Sequence, residues 1–133
     1  MNWTLEVVAI PVTDIDRAKA FYADQVGFDV DHDTAIPGGP RFVQLTPPGS
    51  GCSIVLSTGQ MPAGSQQGLQ LVVADLPAAR AELVGRGVAV SEIQVYGADR
   101  PYQDGDDLNN VGFVYFTDPD GNGWAVQHIS NRT

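Results

Sequence analysis

The chain has 133 residues, 43% apolar and 17% charged, which suits one folded domain with a real core and excludes a disordered chain. Its formal charge is −9 and its sequence pI about 4.2, so its surface repels phosphate backbones and anionic lipid; nucleic acid and membrane are poor partners, and a neutral or cationic small ligand is easier to accommodate. The single cysteine, Cys52, has no internal partner and lies in an apolar run, where a buried inert thiol is expected. The N-terminal Met1-Asn2-Trp3-Thr4 has no basic region and no long apolar stretch follows it, so neither a signal peptide nor a membrane span is expected, and a cytoplasmic location is the default.

The first element is a β-branched run over residues 5–12, followed by Thr13-Asp14 and a helical pattern over 15–24. Ile15, Ala18, Phe21 and Tyr22 share one face of that helix, and Gly27 ends it. Three strand-like runs follow, at 28–31, 41–46 and 52–57, separated by Pro37-Gly38-Gly39-Pro40 and Pro47-Pro48-Gly49-Ser50-Gly51. A Gly-, Ser- and Gln-rich linker spans about 58–67.

The pattern then repeats. Residues 69–73 read as a strand, Ala74-Asp75 as a helix start, and 76–84 as a helix that buries Leu76, Ala79, Leu83 and Val84. Asp14 and Asp75 each stand where a helix N-cap belongs, and Pro77 falls in the first turn, where backbone N–H groups lack helical partners. Three more strand-like runs occupy 88–96, 111–117 and 123–129. The long connection over 97–110 reads either as a lid or as a solvated loop. Each half is therefore strand, helix, strand, strand, strand: an α+β chain of two tandem βαβββ modules, one at about 3–57 and one at about 68–130, within a single domain spanning 1–133. Two such curved sheets side by side would form a cup with the helices outside.

Two segments carry a family likeness. Val12-Thr13-Asp14-Ile15-Asp16-Arg17-Ala18-Lys19-Ala20-Phe21-Tyr22, leading to Val26-Gly27-Phe28, resembles the opening V-x-D-x-x-x-A-x-x-F-Y of the vicinal oxygen chelate superfamily, which includes glyoxalases, bleomycin-resistance proteins and dioxygenases. Phe116-Thr117-Asp118-Pro119-Asp120-Gly121-Asn122 resembles that family's F-x-D-P-D-G-N turn before the last strand. Pro119 fixes φ, Gly121 can supply a positive φ, and the acids are read as holding the loop rather than doing chemistry.

The resemblance implies a divalent metal in many relatives, gripped by His, Glu or Gln side chains and polarising substrate oxygens. Carried over residue by residue, the four ligand positions fall on Val7, Gln44, Gly68 and Ala125. Three of these cannot coordinate with a side chain. Two residues further along, the same faces carry Ala9, Thr46, Gln70 and Gln127, and neutral amides without a carboxylate or imidazole are weak ligands. Asp31, His32 and Asp33 alternate in direction along a strand and do not converge. His128 alternates with Gln127 and is expected to face away from the cup. No metal and no other cofactor is expected.

What remains is a cup floored by Gln44, Gln70 and Gln127, with Phe42 as an aromatic wall and Tyr102 at the mouth. The amides either meet a ligand or pair with each other and the backbone. Trp124 is read as core, while the cup-lining pair among Phe113/Tyr115 and Val114/Phe116 stays open. Asp104, Asp106 and Asp107 read as solvated loop. The reading favoured is a metal-independent protein that binds a cationic or aromatic small molecule, sequestering an antibiotic or metabolite. The alternatives are a metal-free isomerase, lyase or cyclase with an acid or base at the cup mouth, whose catalytic residues the sequence does not name, then a metal-dependent lyase or dioxygenase, then a cup with no small-molecule role. The resemblance also implies a homodimer.

Overall fold

The structure is a computed structural model that describes residues 1–131; Arg132 and Thr133, within the expected domain span, lie outside the described residues. The chain falls into two compact units, each built on one four-stranded mixed sheet. The first unit comprises Met1–Gln66 and Asp118–Asn122; the second comprises Gln67–Thr117 and the chain from Gly123 onward.

In the first unit, β1 (Val7–Pro11), α1 (Ile15–Ala20), β2 (Asp29–Ala35), β3 (Arg41–Thr46) and β4 (Ser53–Ser57) follow in order. The sheet order is β1-β4-β3-β2, with β1 parallel to β4 and the other pairs antiparallel. Asp14 caps α1 by accepting from Arg17 N at 3.1 Å. Ala18, Phe21 and Tyr22 are buried on one helix face, as the spacing predicts. The helix does not stop at residue 24. It continues as a π-helical turn, Phe21–Val26, and Gly27 closes it at φ 93° with its N–H on the Tyr22 carbonyl at 3.0 Å.

Alternation along the strands separates two faces. Ile10, Val43, Leu45, Ile54 and Leu56 form the core. Strand β2 is longer than the expected 28–31. It is an exposed edge strand with a bulge between Val30 and His32, and its charged residues conceal it in a search for apolar runs.

The second unit holds β5 (Leu69–Val73), α2 (Leu76–Gly85), β6 (Gln94–Val95), β7 (Gly112–Thr117) and β8 (Gly123–His128), in sheet order β5-β8-β7-β6. Asp75 caps α2 through Ala78 N at 3.1 Å, and Pro77 lies in the first turn. Leu76 and Leu83 are buried with Val114, Phe116, Trp124 and Val126, whereas Val84, expected on the buried face, is 51% exposed. Phe116 and Trp124 stack with ring centroids 6.1 Å apart, so Trp124 is core as expected.

The strand expected over 88–96 shrinks to Gln94–Val95. Ser91 shows why. Its N–H reaches the Tyr115 carbonyl at 2.9 Å, but its own carbonyl is taken by Arg80 Nε at 2.8 Å. The Ser91 hydroxyl oxygen accepts from Tyr115 N instead, at 2.9 Å. A side chain thus replaces the backbone group that would have continued the ladder.

The D-P-D-G-N turn lies late in the sequence yet packs in the first unit. Asp118 Oδ1 accepts from Asp120 N and Asn122 N, each at 2.9 Å. The Tyr22 hydroxyl donates to Asp118 Oδ2 at 2.8 Å, and Asn122 Nδ2 donates to the Pro11 carbonyl at 2.8 Å. Asp120 accepts from Thr13 Oγ1 at 2.7 Å and Arg17 Nη2 at 3.2 Å. Those acids hold more than their own loop: Asp120 fastens it to Thr13 and Arg17 at the start of α1 and Asp118 to Tyr22, while Asn122 ties it to β1.

Candidate functional site

Each sheet has one face turned away from its core, and the expected Phe42, Gln44, Gln70 and Gln127 divide between those faces. In the first unit, Phe42, Gln44 and Thr46 alternate with buried Val43 and Leu45. Register places Gln44 beside Val55 on β4 and His32 on β2, and Val55 beside Ala9 on β1. The Phe42 and His32 rings lie 5.9 Å apart. Val7, at 41% exposure, lies on the same face as Ala9.

In the second unit the strand register generates a small grid. Gln70, Ala125 and Tyr115 form one row across β5, β8 and β7; Val72, Gln127 and Phe113 form the next. The question that the sequence leaves open for β7 is resolved here: Val114 and Phe116 are core, while Phe113 and Tyr115 share the open face, stacked at 6.2 Å with an interplanar angle of 9°. Gly68, Gly123 and Ala125 leave this face low beside Tyr115, and the Gln67 amide lies where a Gly123 side chain would stand. A recess of about 690 Å³ opens here, bordered by Gly68, Val90, Tyr115, Thr117, Trp124 and Ala125 among others.

The glutamines of this face are bonded to each other. Gln70 Nε2 donates to Gln127 Oε1, and Gln127 Nε2 donates to the Asn110 carbonyl at 2.8 Å. Tyr102 is not brought to them. It lines a second recess of about 420 Å³ beside α2, with Pro77, Arg80, Glu92, Ile93 and Asp104. Gln44 and Phe42 belong to the first unit, Gln70 and Gln127 to the second.

The loop after β6 is internally tied. Arg100 grips Asp106 with two bonds of 2.9 and 3.0 Å, and Asp106 also accepts from Gln103 N at 2.9 Å. The Arg100 guanidinium holds the Asp106 carboxyl below the usual carboxylate range. Leu108 is buried and anchors the far end, where Asn110 N donates to the His128 carbonyl at 2.8 Å. Asp106 is expected in a solvated loop, and its bonds to Arg100 and Gln103 are solvent-exposed.

His128 faces the helix. Its Nδ1 accepts from Leu76 N at 3.1 Å, and its Nε2 lies 3.1 Å from the Ser130 hydroxyl. Asp31 and Asp33 are also engaged: Asp31 with the Thr46 hydroxyl, Asp33 with Lys19 and Arg41. Cys52 is only partly buried. Among the described residues, no three His, Cys, Asp or Glu side chains gather into a group able to hold a metal ion, and no helix is long and apolar enough to cross a membrane.

A family model described as the Glyoxalase/Bleomycin resistance protein/Dioxygenase superfamily matches residues 4–126. The chain belongs to this superfamily, and its two four-stranded sheets are the two-module α+β fold expected from the sequence. It is similar to TnmS3, an antibiotic binding protein from Streptomyces sp. CB03234, at 34% identity over 97% of this chain and 98% of that one, with a TM-score of 0.76. A glyoxalase/bleomycin resistance protein from the same organism is also 34% identical, over 94% and 100%, with a TM-score of 0.71. A superfamily member from Sphaerobacter thermophilus DSM 20745, 23% identical over 96% and 98%, shares the fold at a TM-score of 0.74. No curated protein matches the chain.

The metal that many relatives of this fold bind does not suit these residues. The positions carried over from the family hold isopropyl, hydrogen and methyl at Val7, Gly68 and Ala125. Gln44 alone offers an oxygen, and one neutral amide is a poor grip for a divalent ion.

Proposed function

We propose that this protein binds a small organic molecule on its open sheet faces without a metal. The observation that carries the reading is the donor set: three of the four positions where relatives hold an ion carry no ligating atom. Aromatic side chains and amides occupy those faces instead, with Phe113, Tyr115, Gln70 and Gln127 in the second unit and Phe42 and Gln44 in the first. A bed of small residues beside a Tyr ring suits a planar ligand, for which stacking supplies contact area. The surplus of acidic residues favours a neutral or cationic molecule over an anion.

The antibiotic-binding relative supports sequestration of an antibiotic or similar natural product by this chain. Tyr102 stays a candidate only for the second recess. Homodimerisation belongs to the same reading: β1 is a sheet edge, and Trp3, Leu5 and Val7 stand exposed along and ahead of it. A cytoplasmic setting is part of the proposal too.

Two measurements test it together. Metal analysis after dialysis against chelator is expected to find no stoichiometric zinc, nickel, manganese or iron. Thermal-shift screening with glycopeptide and aromatic antibiotics is expected to give at least one ligand that raises the melting temperature. Tightly held metal, or a panel without effect, would count against the reading.

A further inference from the structure

The hydrogen bonds around Gln127 fix the direction of an amide relay. A backbone carbonyl only accepts, so the Gln127 group facing the Asn110 oxygen at 2.8 Å must be its NH₂. Its carbonyl oxygen therefore faces Gln70, and Gln70 must present its own NH₂ there. That leaves Gln70 Oε1 directed elsewhere, and among the described residues no group donates to it. Gln70 is exposed and sits beside Ala125, across from Tyr115.

The relay starts from a constrained point. Asn110 has φ 66°, the only positive φ outside glycine among the described residues, and its N–H is held by the His128 carbonyl at 2.8 Å. Its carbonyl direction is set by that backbone, so the amides cannot reverse singly without leaving two donors or two acceptors facing each other.

We propose that Gln127 is a positioning residue that makes Gln70 a fixed hydrogen-bond acceptor, so that the open face of the second unit selects ligands carrying a donor, such as a phenolic hydroxyl or an aryl amine, at the edge of a planar ring. This rests on the small-molecule reading and deepens it. An ordinary exposed glutamine offers either end of its amide and discriminates little. A glutamine held by one Nε2 proton keeps its oxygen at a fixed place, separate from its second Nε2 proton, and a ligand with an ether or carbonyl at that place meets acceptor against acceptor.

The test compares two probes, 2-naphthol and 2-methoxynaphthalene, on the whole chain and on Gln127→Leu and Gln70→Leu, with melting temperatures confirming that each variant folds. The wild type is expected to bind the naphthol roughly five- to tenfold more tightly than the ether, the scale of one net hydrogen bond. Both variants are expected to bring that ratio to about one. Equal binding or an ether preference in the wild type overturns the proposal, as does a naphthol preference that survives in Gln127→Leu. Side-chain amide NMR gives a readout that needs no ligand. One Nε2 proton of each glutamine is expected to show the low temperature coefficient of a bonded amide, and the Gln70 signal is expected to become solvent-like in Gln127→Leu. If neither probe binds while this amide pattern holds, the binding of aromatics fails and the relay stands; solvent-like amides in the wild type overturn the relay itself.

Discussion

The Tyr22 hydroxyl donates to Asp118 Oδ2 at 2.8 Å, joining the π-helical end of α1 to a turn 96 residues away in sequence. Both residues are buried, Tyr22 at 0% and Asp118 at 4% exposure, so neither finds water when the other is removed. Tyr22→Phe should cost about 1.5–3 kcal/mol, the range for a hydrogen bond to a charged group. Asn122→Ala should cost at least as much, because it leaves the Pro11 carbonyl without its 2.8 Å partner and Asp118 with one donor fewer. Urea titrations of the two variants check both values; a change within about 0.5 kcal/mol for either would show that the turn is not fastened as described.

Gly64 lies under the same turn. Its φ is +80°, and a Cβ added there would stand 2.2 Å from the Asp120 carbonyl oxygen, a backbone atom that cannot swing aside. Gly64→Ala should therefore lower stability by roughly 1–3 kcal/mol. Gly49→Ala is the control: its φ of +83° is similar, but nothing lies within 4 Å. The difference between their melting temperatures isolates the close approach from the dihedral cost shared by both.

Asp33 links β2 to Arg41 and Lys19, and the Arg41 and Lys19 side chains hold its carboxyl well below the usual value of 3.8. A depressed folded-state value means that the stabilisation is present above pH 3.8 and is lost as pH falls below it toward the folded value. Asp33→Asn should flatten that part of the curve of melting temperature against pH and leave its shape near neutrality unchanged. The pair is solvent-exposed and salt should weaken it. An unaltered acid limb in the variant would contradict the assignment.

His128 Nδ1 serves the first turn of α2 by accepting from Leu76 N, beside the Asp75 cap. His128→Ala should destabilise by about 1 kcal/mol, as loss of a helix cap does, and Asp75→Ala by a similar amount. Hydrogen exchange should localise the effect of both to the N-terminal turn of α2. Protection lost elsewhere would assign His128 a different role.

How much of this was legible depended on what each residue shows without its neighbours. Strand β3 and strand β5 matched their expected bounds because β3 is flanked by Pro- and Gly-rich turns and β5 is a short run of Leu and Val, broken only by Gln70, between Gly68 and the Asp75 cap. Both helix caps were readable because an aspartate before an apolar periodic run has few other uses. The extension of α1 through Val26 was not, since a π-turn depends on which carbonyl Gly27 finds. The shortening of β6 hinged on Arg80 claiming the Ser91 carbonyl, a choice made by tertiary contact. At the candidate site, parity placed Gln44, Gln70 and Gln127 on open faces, but the pairing of two of them needs the register of β5 against β8. Tyr102 sat in a loop without periodicity, so nothing in the sequence told which recess it would line.

The most direct test of the whole account is a calorimetric titration of the chelator-treated protein with whichever aromatic antibiotic raises its melting temperature most, repeated after addition of zinc and of nickel. The account predicts saturable binding in the chelator, with an affinity unchanged by either metal. Binding that appears only when metal is restored would contradict it and return the site to ion-dependent chemistry.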